Sequence, residues 1–112
     1  GIVDELAPVE GEVVIDKPGK GAFYSTDLEL VLRTRGIANL IVCGVTTHVC
    51  VSTTIRGAND RGFDCLLLTD CSAAFDPADH EATIHQINQQ GGIFGWTTAS
   101  DKVLEALATQ GA

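Results

Sequence analysis

Positive charge is scarce in this sequence. Only 7 lysines and arginines stand against 15 aspartates and glutamates, a formal net charge of −8. Such a surface repels phosphate, so neither nucleic acid nor an anionic membrane surface is expected as a partner. Long apolar runs are missing too. No stretch approaches the ~20 residues that a membrane-spanning helix needs, and no basic-then-apolar leader opens the chain. The 4 cysteines, Cys43, Cys50, Cys65 and Cys71, make no C-x-x-C pair and no zinc-like spacing. They are sparse for a disulfide scaffold, which makes a reducing, cytoplasmic setting the expectation. Pro18-Gly19-Lys20-Gly21 is glycine-rich but lacks the spacing of a phosphate-binding loop. Internal repeats and low-complexity stretches are also absent.

What is present is 112 residues, 45% hydrophobic and 20% charged, which suits one globular unit. Residues 1–11 read as a loop or an incoming connection. Glu12-Val13-Val14-Ile15-Asp16 reads as a short strand bounded by Lys17-Pro18-Gly19. Ser25 or Thr26 can cap a helix whose apolar stripe is Leu28, Val31 and Leu32 and which Gly36 ends. Leu40 to Cys43 is a continuously apolar strand, the pattern of a strand covered on both faces. A helix over Thr47 to Arg61 follows, stopped by Gly62, and then a buried strand over Cys65 to Leu68 that ends in Thr69-Asp70. Pro77 fits the first turn of a helix reaching about Gln90 and halted by Gly91-Gly92. Ile93 to Trp96 reads as a fourth, shorter strand, and Ser100 caps a last helix carrying Val103, Leu104 and Leu107.

Strands alternating with helices predict an α/β fold of three α-β-α layers around a mainly parallel sheet. Ligands of such sheets bind beyond the carboxyl ends of the strands. Lys17, the turn Gly44 to Cys50, and Asp70 all fall at such ends. Cys50 lies where a strand bends into a helix, and the positive end of a helix dipole favours a reactive thiolate. Cys50 is therefore a candidate nucleophile; it is equally readable as a small buried residue of a first helical turn. Thr46, Thr47, Ser52, Thr53 and Thr54 crowd the same turn as rival hydroxyl nucleophiles. A hydroxyl would need a base such as His48, and that base would need an orienting group that the sequence does not offer. His48 reads as exposed or locally satisfied, and His80 and His85 as surface residues. Cys43 and Cys65 read as reduced core residues. Asp70 is as readily a bond to loop backbone as a contact to substrate.

Lys17 with Ala22-Phe23, and then Leu40-Ile41-Val42-Cys43-Gly44-Val45-Thr46-Thr47-His48-Val49-Cys50-Val51, resembles the isochorismatase-like cysteine hydrolases. The separation of 33 residues between Lys17 and Cys50 matches that family's carbamoyl-amide branch, and the resemblance covers the chain from about residue 11. It implies Cys50 as nucleophile, Lys17 as its partner, and the backbone N–H groups of Thr46 and Cys50 as an oxyanion hole. It also implies a non-proline cis peptide between Val45 and Thr46. Arg56 to Leu68 together with Gln90 to Trp96 is most similar to biuret hydrolases, which implies that Gln90 contacts substrate. The activity implied is hydrolysis of a small urea-like or carbamoyl amide with release of ammonia. No cofactor is implied, since the carbamoyl-amide members work without a metal. A homo-oligomer, dimer or tetramer, is implied as well.

One part of the family pattern has no counterpart. The family begins with a strand that carries a catalytic aspartate, followed by further strands and helices, and neither Asp16 nor Asp70 falls in that motif. The resemblance therefore implies that residues 1–112 are the C-terminal part of a single larger domain, with the aspartate supplied by a missing N-terminal segment. The family's sheet order places the absent strands between the strand ending at Lys17 and the strand ending at Cys43.

Overall fold

The computed structural model describes residues 2–111. Three parallel strands form its sheet in the order β1-β2-β3: β1 (Asn39–Val45), β2 (Asp64–Ala73) and β3 (Trp96–Thr98). Helix α1 (Leu28–Thr34) precedes β1, α2 (Ser52–Asp60) joins β1 to β2, α3 (Pro77–Gly92) joins β2 to β3, and α4 (Ser100–Gly111) follows. The α/β class and the parallel sheet are thus as the sequence pattern predicts, with helices on both faces.

Alternation along the strands sorts the layers. Leu40 and Val42 of β1, and Cys65 and Leu67 of β2, face a core completed by Phe23, Leu32, Val51, Ile55, Ala58, Phe63 and Ile87. α2 and α3 contact β2, Leu28 and Leu32 of α1 join the same core, and α4 meets β2 through Asp70, which alternates out of phase with Cys65 and Leu67. The termini follow their local chemistry. The Leu28 N–H donates to the Thr26 hydroxyl at 3.3 Å, and Gly36, at φ 68°, lets the Ile37 N–H return to the Leu32 carbonyl at 2.9 Å. Asp76 caps α3 by accepting from the Ala78 N–H at 2.9 Å, with Pro77 in the first turn. Arg33 and Arg61 both donate to Glu29, at 2.9 and 3.0 Å, and lie over the rings of Phe63 and Phe23. The bond from Arg33 leads in holding the Glu29 carboxyl below its ordinary pKa.

Four sequence expectations are corrected. Residues 12–16 are not a strand: Val13 and Val14 are exposed, and no ladder partner stands beside them among the described residues. A strand exists only as half of a hydrogen-bonded pair, whatever its composition. β1 is not covered on both faces, for Ile41, Cys43 and Val45 are exposed. β2 runs beyond Leu68 through polar residues to Ala73, because after an irregularity between Val42 and Gly44 the register resumes with Gly44 opposite Ser72 and Val45 opposite Ala73. The last strand begins at Trp96 instead of Ile93. The Ile93 N–H bonds back to the Gln89 carbonyl at 2.8 Å and the Gly95 N–H to Gly92 at 3.1 Å, so these residues are spent on a turn. Gly95, at φ 145°, is required there: an added Cβ would collide with the Cys65 carbonyl oxygen.

Asp70 now lies within β2, not at its end. Its two carboxylate oxygens accept from the Ser100 N–H at 2.8 Å and the Ser100 hydroxyl at 2.6 Å, which ties β2 to the start of α4. These bonds, the hydroxyl's first, hold the Asp70 carboxyl below its ordinary value. A carboxyl depressed in the folded state stabilises it fully above the unfolded value of about 3.9, and the effect is lost as pH falls through the lower folded value. Protection of the Ser100 to Lys102 amides, taken against their intrinsic exchange rates at each pH, is expected to fall several-fold across that acid window, and Asp70→Asn to show low protection throughout. Protection in the native chain that stays constant across the window would refute the tie.

Candidate active site

The site is built on the carboxyl end of β1. Gly44 takes φ 128°, and the peptide bond between Val45 and Thr46 is cis. The Thr46 carbonyl then accepts from the Val49 N–H at 3.0 Å and the Val51 N–H at 3.2 Å, closing a π-helical turn over Thr47–Val51. Only from Ser52 does the chain become α-helical. Buried Thr47, Val51 and Ser52 anchor the turn, which leaves Cys50 half-buried at its surface. β-branched residues, whose side chains are stiff, make up much of this stretch and suit a turn of fixed shape.

Lys17 reaches this turn from a loop on the other side. Its Nζ lies 3.6 Å from Cys50 Sγ and donates to the carbonyls of Gly19 at 3.0 Å and Lys20 at 3.1 Å. The ammonium's three donors are thus used by its own loop and by the sulfur. The loop is pinned in turn. The Ala22 N–H donates to the Thr54 hydroxyl of α2 at 3.1 Å, and Phe23 is buried, stacked on Phe63 with ring centroids 5.9 Å apart. Beside the pair lies a cavity of about 220 Å³ lined by Lys17, Ala22, Val42, Cys43, Gly44, Val45, Cys50, Val51 and Thr54. A positive charge against the sulfur, next to backbone N–H groups at a helix start, is an arrangement suited to a thiolate that attacks a carbonyl.

The structure therefore brings Lys17, Val45, Thr46 and Cys50 together. Gln90 it leaves apart. α3 starts beside the nucleophile turn, where Thr47 Oγ1 meets His80 Nδ1 at 2.7 Å, and its helical dihedrals break at Gln89, Gln90 and Gly91. Gln90 is exposed in that break, at a left-handed φ of 55°, and does not line the cavity beside Lys17 and Cys50. Its place before the paired glycines reflects the turn that ends α3.

The cysteines and histidines also divide differently from expectation. Cys65 is buried, and burial, with Asp64 beside it, pushes its thiol up to about 11. Cys43 is exposed, because it points to the uncovered face of β1. His48 is exposed, with Nε2 3.8 Å from an Asp79 carboxylate oxygen. His80 is half-buried and bonded to Thr47, where a surface position was expected. No local signal exposes that pairing, since the two residues stand 33 apart in the chain. Among the described residues, no carboxylate lies within ion-pair distance of Lys17 and no three His, Cys, Asp or Glu side chains gather as metal ligands. No described helix is long and apolar enough to cross a membrane.

Residues 1–100 match the family model of the isochorismatase domain. The chain belongs to the isochorismatase family. Among relatives of this isochorismatase-family chain, the ureidoacrylate amidohydrolase RutB of Klebsiella pneumoniae is 34% identical over 108 residues, 96% of this chain and 44% of RutB. A cysteine hydrolase from Pseudomonas syringae superposes with a TM-score of 0.88 at 32% identity, over 97% of this chain and 55% of that one. N-carbamoylsarcosine amidase from Thermoplasma acidophilum superposes with a TM-score of 0.76 at 27% identity, over 89% of this chain and 55% of that one. The isochorismatase-family chain thus spans roughly half the length of these relatives or less.

Proposed function

We propose that this chain is the nucleophile-bearing, C-terminal part of a cysteine amidohydrolase acting on a small linear amide of the ureido or carbamoyl type. The observation that carries the reading is the 3.6 Å approach of Lys17 Nζ to Cys50 Sγ at the turn that opens α2. The names of two relatives, a ureidoacrylate amidohydrolase and an N-carbamoylsarcosine amidase, support the substrate class.

In this mechanism the Cys50 thiolate adds to the amide carbonyl. The N–H groups of Thr46 and Cys50 hold the oxyanion, a contribution of about 3–4 kcal/mol per donor. The tetrahedral intermediate expels nitrogen as ammonia, after it takes a proton, and leaves a thioester on Sγ. Water then adds to the thioester carbonyl and releases the acid and the thiol. Lys17 keeps the sulfur charged and orients the attacked group. The base that takes the thiol proton is an aspartate on a segment outside these 112 residues. That segment docks against the open edge and face of β1, where Ile41 and Val45 are 55% and 71% exposed. The assembled enzyme is a cytoplasmic homo-oligomer, a dimer or tetramer.

The test is ammonia release by the complete enzyme from ureidoacrylate, N-carbamoylsarcosine and biuret, with nicotinamide as comparison. Turnover of one ureido compound is expected, together with an acyl adduct on the Cys50 peptide in acid-quenched mass spectra. Absence of turnover on all of them, in a sample containing the aspartate-bearing segment, would leave the chain as a non-catalytic scaffold of the same family.

A further inference from the structure

His80 lies on a different element from every residue of the proposed chemistry, yet it holds the turn on which that chemistry stands. Thr47 follows Thr46, whose N–H faces the oxyanion, and precedes Cys50 by less than one helical turn. Its side chain is completely buried, at 0% exposure, and its Oγ1 lies 2.7 Å from His80 Nδ1. The bonds that the Thr46 carbonyl accepts from Val49 and Val51 are internal to the turn. They set its shape but not its attitude toward the rest of the molecule. The Thr47–His80 bond joins the burial of Val51 and Ser52 in the second job, because it runs to α3.

The first turn of α3 is well suited to be the fixed end. Asp76 caps it through the Ala78 N–H at 2.9 Å, Pro77 presets its first dihedral, and the Thr83 hydroxyl, buried, donates to the Asp79 carbonyl at 2.8 Å. Asp79, the neighbour of His80, approaches His48 of the same nucleophile turn at 3.8 Å. Two adjacent residues of α3 thus face two adjacent residues of the turn. The bond with the buried partner is the short one. The longer contact is exposed on both sides and contributes little.

We infer that His80 is a positioning residue of the proposed amidohydrolase: through Thr47 it fixes the turn that presents the Cys50 sulfur and the Thr46 N–H at one carbonyl. The inference rests on Cys50 acting as nucleophile. Its physical content is alignment. Attack needs the sulfur and the oxyanion donors in register with each other and with Lys17, and a displacement near 1 Å costs about 10²-fold in rate.

The experiment uses His80→Ala, His80→Asn, Thr47→Val and the His80→Ala/Thr47→Val double variant in the complete enzyme. Two readouts apply: kcat and KM for ammonia release, and the rate of iodoacetamide addition to Cys50 followed by peptide mapping. The second needs no substrate. His80→Ala is expected to lower kcat about 10²-fold with KM held within about threefold, and to slow alkylation of Cys50. His80→Asn, which can place a nitrogen or oxygen near the Nδ1 position, is expected to recover most of the loss. Thr47→Val is expected to match His80→Ala, and the double variant to lose no more than either single one, since both remove one bond. A general loss of structure would lower stability without this rescue and without this non-additivity. His80→Ala with unchanged kcat and unchanged alkylation overturns the inference, and so do two losses that multiply. Cys50→Ala separates the two readings. If it retains full turnover, the nucleophile assignment falls and the inference with it. If it is dead while His80→Ala is unimpaired, the inference alone falls.

Discussion

Cys50→Ala is expected to stop ammonia release by the complete enzyme, with a loss of about 10⁶-fold of the order seen when a covalent nucleophile is removed. The magnitude follows from the loss of the one nucleophile that Lys17 meets. Three of the five hydroxyls that compete with Cys50 in the sequence are engaged in the structure. Thr47 Oγ1 is buried against His80, the Ser52 hydroxyl accepts from Arg56 Nε at 3.4 Å, and the Thr54 hydroxyl accepts from the Ala22 N–H at 3.1 Å. None of these three is free to approach a carbonyl held at the turn. Among the thiols, Lys17 meets only that of Cys50: Cys65 is buried in the core with its thiol pushed up to about 11, Cys71 is exposed on β2 beside Asp70, and Cys43 lines the same cavity without that contact. Because Cys50 is half-buried on a turn whose anchors are Thr47, Val51 and Ser52, loss of its sulfur should leave the fold intact. Near-ultraviolet circular dichroism and kinetics on the same sample check both statements. A Cys50→Ala enzyme that turns over at the native rate would falsify the mechanism.

Most of the architecture was legible because it is set by local periodicity. Apolar runs at Leu40 to Cys43 and Cys65 to Leu68, the glycines at positions 36 and 62, and Pro77 place the strands and helices with little ambiguity. What was not legible depends on partners. Residues 12–16 have the composition of a strand and, among the described residues, no neighbour to pair with. Cys43 has the context of a core residue and faces the side of β1 that nothing described covers. The extension of β2 through Asp70 and Ser72 comes from the register with β1, which a polar sequence does not announce. At the site the split is similar. The strand-to-turn pattern around Cys50 can be read locally, and Lys17 is tied to it by resemblance. His80 was read as surface because its partner, Thr47, is distant in sequence. Gln90 as a substrate contact rests on the similarity of its motif, and the structure places it in the break at the end of α3.

Lys17→Met is expected to lower turnover by about 10²–10³-fold, the loss typical of one preorganised electrostatic contact. The substitution retains most of the stem and removes the charge that lies 3.6 Å from Cys50 Sγ. It also removes the donor shared by the Gly19 and Lys20 carbonyls, at 3.0 and 3.1 Å, so a change in loop shape could mimic loss of charge. The structure supplies a way to separate them. The loop has two anchors that do not involve Lys17: the Ala22 N–H on Thr54, and Phe23 buried against Phe63. Thr54→Val releases the first anchor without touching the ammonium. If loop shape is decisive, Thr54→Val and Lys17→Met should lose similar activity. If charge at the sulfur is decisive, Thr54→Val should stay within about tenfold of the native rate while Lys17→Met falls further and Cys50 alkylates more slowly at neutral pH. Lys17→Arg sharpens the contrast, since it keeps the charge on a broad planar group that cannot reproduce a compact ammonium held by two carbonyls and a sulfur. Partial recovery by arginine assigns the loss to charge. Recovery to the native rate would show that the compact geometry of the ammonium is dispensable, and an unimpaired Lys17→Met enzyme would remove Lys17 from the mechanism.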